Sequence, residues 1–80
     1  MPGRRQKLVE MLAANPTDSF LIYALALDEA GAGETAAATV RLRGLVGSDP
    51  DYVPTWFQLG RLLLEQGETD AASNVLQQGI

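Results

Sequence analysis

The sequence repeats itself after 34 residues: GETAAATVRL begins at Gly33, and GETDAASNVL begins at Gly67. The same shift, without a gap, superposes further pairs along most of the chain. These pairs are Pro16 and Pro50, Leu25 and Leu59, Ala37 and Ala71, Ala38 and Ala72, and Leu42 and Leu76. A fixed period of about 20–50 residues is typical of folds that stack one structural unit several times. The repeat therefore limits the fold more strongly than any other feature.

The first helix of the repeated unit is clearest in the second copy. Apolar or small residues there follow the i, i+3, i+4, i+7 spacing of one helix face: Trp56, Leu59, Gly60 and Leu63. Asp51 is expected to cap the start of this helix, and Pro54 fits its first turn because a missing N–H has no cost there. Gly67 is expected to end the helix, since the residue after the last turn often needs a positive φ angle.

The second helix of the unit follows directly. Thr69 is expected to cap it. Its apolar face carries Ala72, Val75, Leu76 and Ile80. In the first copy the same pattern predicts a helix over 19–31, a turn at Gly33 and a helix over 35–46. Each copy is therefore a helix–turn–helix.

A further helix is predicted over 4–14, where Leu8 is in register with Leu42 and Leu76. Its apolar residues are Leu8, Val9, Met11 and Leu12. Pro50 pushes Asp49 out of helical geometry and separates the two copies. The prediction is an all-α chain of five helices in a single domain over 1–80. Its parts are a half-repeat helix (4–14), a first helix pair (19–47) and a second helix pair (53–80).

The composition excludes most catalytic chemistry. Cysteine and histidine are absent, which removes disulfides, thiolate nucleophiles, histidine bases and the ligands of zinc or iron–sulfur sites. We therefore expect no metal and no cofactor. The closest acidic pairs are Asp28–Glu29, after an apolar run, and Asp49–Asp51, around a proline. Both are expected to be solvated ends and caps rather than catalytic carboxylates, so no enzyme activity is expected.

Charge and hydropathy exclude two further classes of partner. The net charge of -4 disfavours a nucleic-acid duplex, which needs clustered positive charge. Arg4, Arg5 and Lys7 gather near the N-terminus, where a solvated helix start is favoured over an arm for nucleic acid or lipid. The run from Phe20 to Leu27 is eight residues long, far short of the about 20 that cross a bilayer. We expect a cytoplasmic protein with no membrane partner.

The repeated pattern of apolar, small and proline residues resembles that of the tetratricopeptide repeat family. The family has a period of about 34 residues and the pattern W-x2-L-G-x2-Y … A-x3-F … P. The second copy has Trp56-x2-Leu59-Gly60-x2-Leu63, followed by Ala72-x3-Leu76. The first copy has Ile22-x2-Leu25-Ala26, followed by Ala38-x3-Leu42 and Pro50. The resemblance implies a short right-handed α-solenoid with about two and a half repeats.

The resemblance also implies which residues pack the helices of a pair together. They are Ile22, Leu25, Ala26, Ala38, Leu42, Trp56, Leu59, Gly60, Ala72 and Leu76. Glu29 departs from the pattern, since an aromatic or aliphatic residue is expected there, and the helix is expected to rotate or fray near it. The proline and polar capping helix that usually close such arrays do not occur before Ile80. Either the natural protein continues, or another surface covers the last helix.

In this family the first helix of each pair lines a concave face, so the resemblance implies a binding groove. Five residues are predicted to line it, with Pro54 and Leu64 nearby: Phe20, Tyr23, Leu27, Phe57 and Arg61. Aromatic and arginine side chains are enriched at interface hot spots. Phe57 and Arg61 are expected to be exposed. For Phe20 and Tyr23 the alternative is a place in the core, and both interpretations stay open.

These features predict a non-catalytic scaffold for protein–protein interaction. Arg61 is the only basic residue of the predicted groove, which disfavours a partner's terminal carboxylate. An apolar helix or an extended peptide segment of another protein is the expected ligand. The alternative is a self-associating structural protein, a homodimer formed through the groove or through the uncapped C-terminal helix.

Overall fold

A computed structural model describes residues 3–79 of the chain. The helices are α1 (Arg4–Ala14), α2 (Ser19–Gly31), α3 (Thr35–Ser48), α4 (Pro54–Glu65) and α5 (Thr69–Gln78). No strand occurs within the described range. The predicted all-α fold with five helices is therefore confirmed. Ile80, predicted on the apolar face of α5, lies outside the described residues.

Both helix pairs turn on a glycine with a left-handed backbone. Gly33 has a φ of 83° and Gly67 a φ of 79°, a region that other residues rarely adopt. In each turn the N–H after the glycine donates to a carbonyl five residues earlier. These bonds join Glu34 to Glu29 and Glu68 to Leu63, each with an N···O distance of 2.9 Å. The glycine turn is therefore built in the same way in both copies.

The residues predicted to cap α4 and α5 do not do so. Val53 precedes α4, and among the described residues no side chain caps that helix. The predicted cap by Asp51 is wrong because a turn, in which the Tyr52 N–H donates to the Asp49 carbonyl (3.1 Å), separates it from α4. Thr69 is the first residue of α5 rather than its cap.

Two other helix ends lie at aspartates. The Asp18 carboxylate caps α2 by accepting a hydrogen bond from the N–H of Leu21 (3.1 Å). At its far end, α3 continues to Ser48, past the predicted end at 46. Pro50 affects only the residue before it, and Asp49 indeed has a non-helical backbone with a φ of -143°.

Each helix packs chiefly against its neighbours in sequence, so the helices form a flat stack measuring 40 × 26 × 14 Å. A main core lies among α2, α3, α4 and α5, and a smaller cluster joins α1 to α2. The buried residues of the main core are Ala26, Ala38, Leu42, Leu59, Leu62, Leu63, Ala72 and Val75. Those of the smaller cluster are Leu8, Leu21, Ala24 and Leu25.

Most residues assigned to packing within a pair are buried, but Ile22, Trp56 and Leu76 are half-buried. α4 and α5 approach each other closely at Gly60. A Cβ atom at Gly60 would lie 2.5 Å from Cδ2 of Leu76. A larger residue at this position would therefore require Leu76 to move.

Glu29 overturns the expectation that α2 rotates or frays. The helix continues through it to Gly31, and Glu29 is a buried residue with only 7% exposure. Its carboxylate accepts two hydrogen bonds from Arg41 of α3, from Nε at 2.8 Å and from Nη2 at 3.1 Å. The prediction failed because a cation on the facing helix satisfies the buried carboxylate.

Candidate functional site

The five residues predicted for the groove differ in exposure. Phe20 is 61% exposed and Phe57 is 62% exposed, and Arg61 is exposed as well. Tyr23 and Leu27 are half-buried. The sequence left open whether Phe20 and Tyr23 lie at the surface or in the core, and the two residues differ. Phe20 lies at the surface, whereas Tyr23 packs against the main core.

Tyr23 connects the two helix pairs. Its ring lies beside that of Tyr52, with ring centroids 5.5 Å apart and ring planes at 57°. This is a tilted arrangement that aromatic pairs favour. Tyr52 comes just before α4, so the contact fixes the start of α4 against the side of α2. The sequence pattern contained no sign of this pairing.

Arg61 is held along the surface of its own helix. Its Nε and Nη2 atoms donate to the side-chain oxygen of Gln58, at 3.1 and 2.9 Å. Its Nη1 lies 3.4 Å from a carboxylate oxygen of Glu65. Exposed ion pairs of this kind contribute little to stability. The guanidinium is therefore available to an acceptor on a ligand at small cost.

An apolar cleft between α4 and α5 has a volume of about 240 Å³. We call it the end cleft, and its residues are Val53, Trp56, Phe57, Leu76 and Gly79. The indole Nε1 of Trp56 donates to the carbonyl of Pro50 at 2.8 Å, which satisfies the polar atom of the ring. A Cβ atom at Gly79 would collide with the Cβ of Trp56. Of the predicted groove residues, the end cleft includes Phe57.

Leu27 belongs to a different cleft, which it shares with Arg4, Asp28, Gly31 and Ala32. Charge surrounds this second cleft, in contrast to the apolar end cleft. The five residues predicted for the groove therefore do not share one pocket. Phe57 and Leu27 lie in separate clefts, and Phe20 and Arg61 present exposed side chains.

Arg5 connects α1 to the first helix pair, which the prediction of a solvated helix start did not include. Its Nε lies 2.7 Å from a carboxylate oxygen of Asp28, and its Nη1 lies 2.6 Å from one of Glu34. Hydrogen bonds to Asp28 and then Glu34 raise the pKa of the Arg5 guanidinium above its usual value. This arginine therefore stabilises the docking of α1 rather than serving as an open basic arm.

Two further properties concern the described residues as a whole. Within residues 3–79, no group of three or more acidic side chains is placed to hold a metal ion. Over the same range, no helix has the length and apolar composition needed to cross a membrane.

Comparison with protein families identifies the repeat. Residues 29–80 match the model of the tetratricopeptide repeat, a match that includes the turn at Gly33 and all of α3, α4 and α5. No curated protein matches the chain. Members of the matched family generally mediate protein–protein interactions and are typically non-catalytic. Since the match covers more than half of the sequence, the chain belongs to the tetratricopeptide repeat family.

Proposed function

We propose that the chain is a non-catalytic interaction module that binds an apolar helix or extended segment of another protein in a groove along α2 and α4. The observation that carries the proposal is the exposure of Phe20. This side chain is 61% exposed at the start of α2, where burying it would be favourable by about 1.5–3 kcal/mol. Contact with a partner would recover that energy.

The other predicted groove residues indicate the chemistry of the ligand. Tyr23 and Leu27 add partly buried apolar surface on α2, and Phe57 adds an exposed ring on α4. Arg61 contributes the one positive charge. This combination suits a segment anchored by aliphatic or aromatic side chains, with one acidic or carbonyl group near Arg61.

A peptide-display selection against the intact protein supplies a defined ligand for the test. Affinities of the selected peptides are then measured by calorimetry. Phe20→Ser combined with Arg61→Ala should weaken binding by about tenfold or more. Circular dichroism should show unchanged helicity, because both side chains are exposed.

Val40→Ser is the matched control for this test. Val40 is 72% exposed on α3, so its replacement removes exposed apolar surface outside the predicted groove. The control should bind the selected peptides like the wild type. Equal binding by the Phe20→Ser, Arg61→Ala variant and the wild type would contradict the groove assignment.

Self-association through the groove is the second candidate, because Phe20 and Phe57 would be buried in a dimer as well as by a partner. Sedimentation at low micromolar concentration separates the two candidates. A dimer that dissociates on Phe20→Ser substitution would favour self-association. A monomer in the wild type would rule against it.

A further inference from the structure

The repeat allows two helix pairs in one molecule to be compared position by position. The last helix of the first pair, α3, packs against α4 of the second pair, and Leu42 and Leu45 of α3 are 0% and 1% exposed. The corresponding positions of α5 are Leu76 and Gly79, which are only half-buried and line the end cleft. The end cleft is thus the counterpart of a surface that α4 covers one repeat earlier.

The first helices of the two pairs, α2 and α4, also differ, and again the second copy is the more exposed. Ser19 and Tyr23 of α2 are half-buried, whereas Val53 and Phe57, their counterparts one repeat later, are 61% and 62% exposed. The more exposed copy is also the more apolar one. An exposed apolar surface of this kind is typical of an interaction site. The composition of the end cleft is therefore that of an interface.

We propose that the end cleft binds an amphipathic helix of another protein, in the way that the first helix pair binds α4. The buried face of α4 presents Thr55, Leu59 and Leu62, which are 0%, 1% and 2% exposed. These residues have the i, i+4, i+7 spacing of a single helix face. The partner helix accordingly carries a small or branched residue followed by two large aliphatic residues at that spacing. This site shares Phe57 with the proposed groove but includes none of the other residues predicted for the groove.

Charge indicates the rest of the partner helix. Residues 1–48 carry five basic and five acidic side chains, so their charges balance. Residues 49–80 carry five acidic side chains and one basic side chain, which gives them the whole net charge of -4. The acidic residues are Asp49, Asp51, Glu65, Glu68 and Asp70. A helix whose polar residues are mostly basic is attracted to this acidic half of the chain, whereas the same half of a second copy is repelled.

A synthetic copy of residues 53–66 supplies the probe, because α4 is the helix that binds the equivalent surface. In the peptide, Trp56→Leu removes the indole, so the single tryptophan of the protein is the only reporter. Phe57→Glu and Arg61→Lys are joined as a lactam that holds the helix. Glu65→Lys and Gln66→Lys supply the basic charge. A control peptide carries Leu59→Ser and Leu62→Ser in addition.

The expected result is a saturable blue shift of the Trp56 emission, since the peptide buries a half-exposed ring. Binding should weaken at about 0.5 M salt, which screens the charges. In the protein, Val53→Asp should weaken binding by about tenfold or more. This variant is expected to fold, because Val53 is 61% exposed and a negative charge is favourable near the N-terminus of a helix. Phe20→Ser and Val40→Asp should leave binding unchanged, which separates this site from the proposed groove.

Five results would overturn the proposal. A red shift would show that the peptide displaces α4 instead of binding beside it. Equal binding by the control peptide, or by the Val53→Asp variant, would exclude the end cleft. Absence of binding at high micromolar peptide would exclude an α4-like helix as the ligand. A dimer of the wild type that Val53→Asp dissociates would identify a second copy as the occupant.

Discussion

Glu29 and Arg41 form an ion pair at two positions that one repeat later are occupied by Leu63 and Val75. The pair has N–O distances of 2.8 and 3.1 Å, and the Glu29 side chain is only 10% exposed. Leu63 and Val75 both belong to the main core. The two helix pairs therefore fill the same space with different chemistry, one with a pair of charges and the other with aliphatic side chains.

Removing one member of this ion pair is expected to destabilise the protein far more than removing both. Arg41→Val should lower the free energy of unfolding by about 2–3 kcal/mol, because it leaves a buried carboxylate without a cation. Glu29→Leu combined with Arg41→Val copies the second helix pair and should return stability to the wild-type value or above it. Urea unfolding followed by circular dichroism measures both. Arg43→Val, at an exposed position of the same helix, should change stability by less than about 0.5 kcal/mol.

Arg5→Ala is expected to lower the Tm and to release α1. The cation bonds Asp28 and Glu34, which raises its pKa. A raised pKa means that the contribution of the Arg5 cation is complete at neutral pH and is lost as the pH rises into strong alkali. The difference in Tm from the wild type should shrink as salt rises to about 0.5 M. Lys7→Ala is the control, and an equal, salt-sensitive loss there would argue against a specific role for Arg5.

Replacing each of two buried threonines by valine should change the free energy of unfolding in opposite directions. The Thr55 hydroxyl is fully buried and has no hydrogen-bond partner among residues 3–79. Thr55→Val should therefore raise the free energy of unfolding by about 1 kcal/mol. The Thr39 hydroxyl bonds the Thr35 carbonyl and the Gln66 amide nitrogen, each at 2.8 Å. Thr39→Val should lower stability by about 1 kcal/mol, and shifts of the same sign in urea unfolding would contradict this account.

Replacing glycine by alanine should likewise destabilise the protein at some positions and stabilise it at another. Gly33→Ala and Gly67→Ala should each cost about 1–2 kcal/mol, because their φ angles of 83° and 79° place a Cβ in a strained backbone. Gly44 lies inside α3 with open space around its Cα. Gly44→Ala should stabilise the protein by about 0.5–1 kcal/mol. Thermal unfolding of the three variants tests this, and destabilisation by Gly44→Ala would contradict it.

The helices could be predicted because local chemistry determines where they end. The turns at Gly33 and Gly67 depend on a backbone that glycine adopts most easily, and Pro50 affects only its predecessor. The family pattern alone does not predict the role of Glu29, because the pattern describes one position and the carboxylate is satisfied by a residue of the facing helix. The useful sign was that Glu29 and Arg41 both replace apolar residues of the other copy and carry opposite charges. Two charged residues of opposite sign that both replace apolar residues predict an ion pair, whereas one such residue alone predicts a disturbed helix.

The surface residues were harder to predict, because helical spacing gives a side of the helix but not its neighbour. Phe57 falls on the predicted groove side of α4, yet it also borders α5 in the end cleft. The packing of α5 against α4 brings these residues together, and Gly79 lies so close to Trp56 that a Cβ atom there would collide with its Cβ. Val53 is the sequence feature that indicates this cleft, because an apolar residue there replaces the polar Ser19 of the first copy.

The division of the interior into two clusters that share α2 has a consequence for how the molecule opens. α1 is held by the smaller cluster around Leu8 and by the contacts of Arg5, so it can detach while the main core stays intact. Amide protons of α1 should then exchange with solvent through a low-energy local opening, and those around Leu42 only through global unfolding. Each protein molecule would thus spend part of its native lifetime as a four-helix form, with the apolar side of α2 briefly accessible.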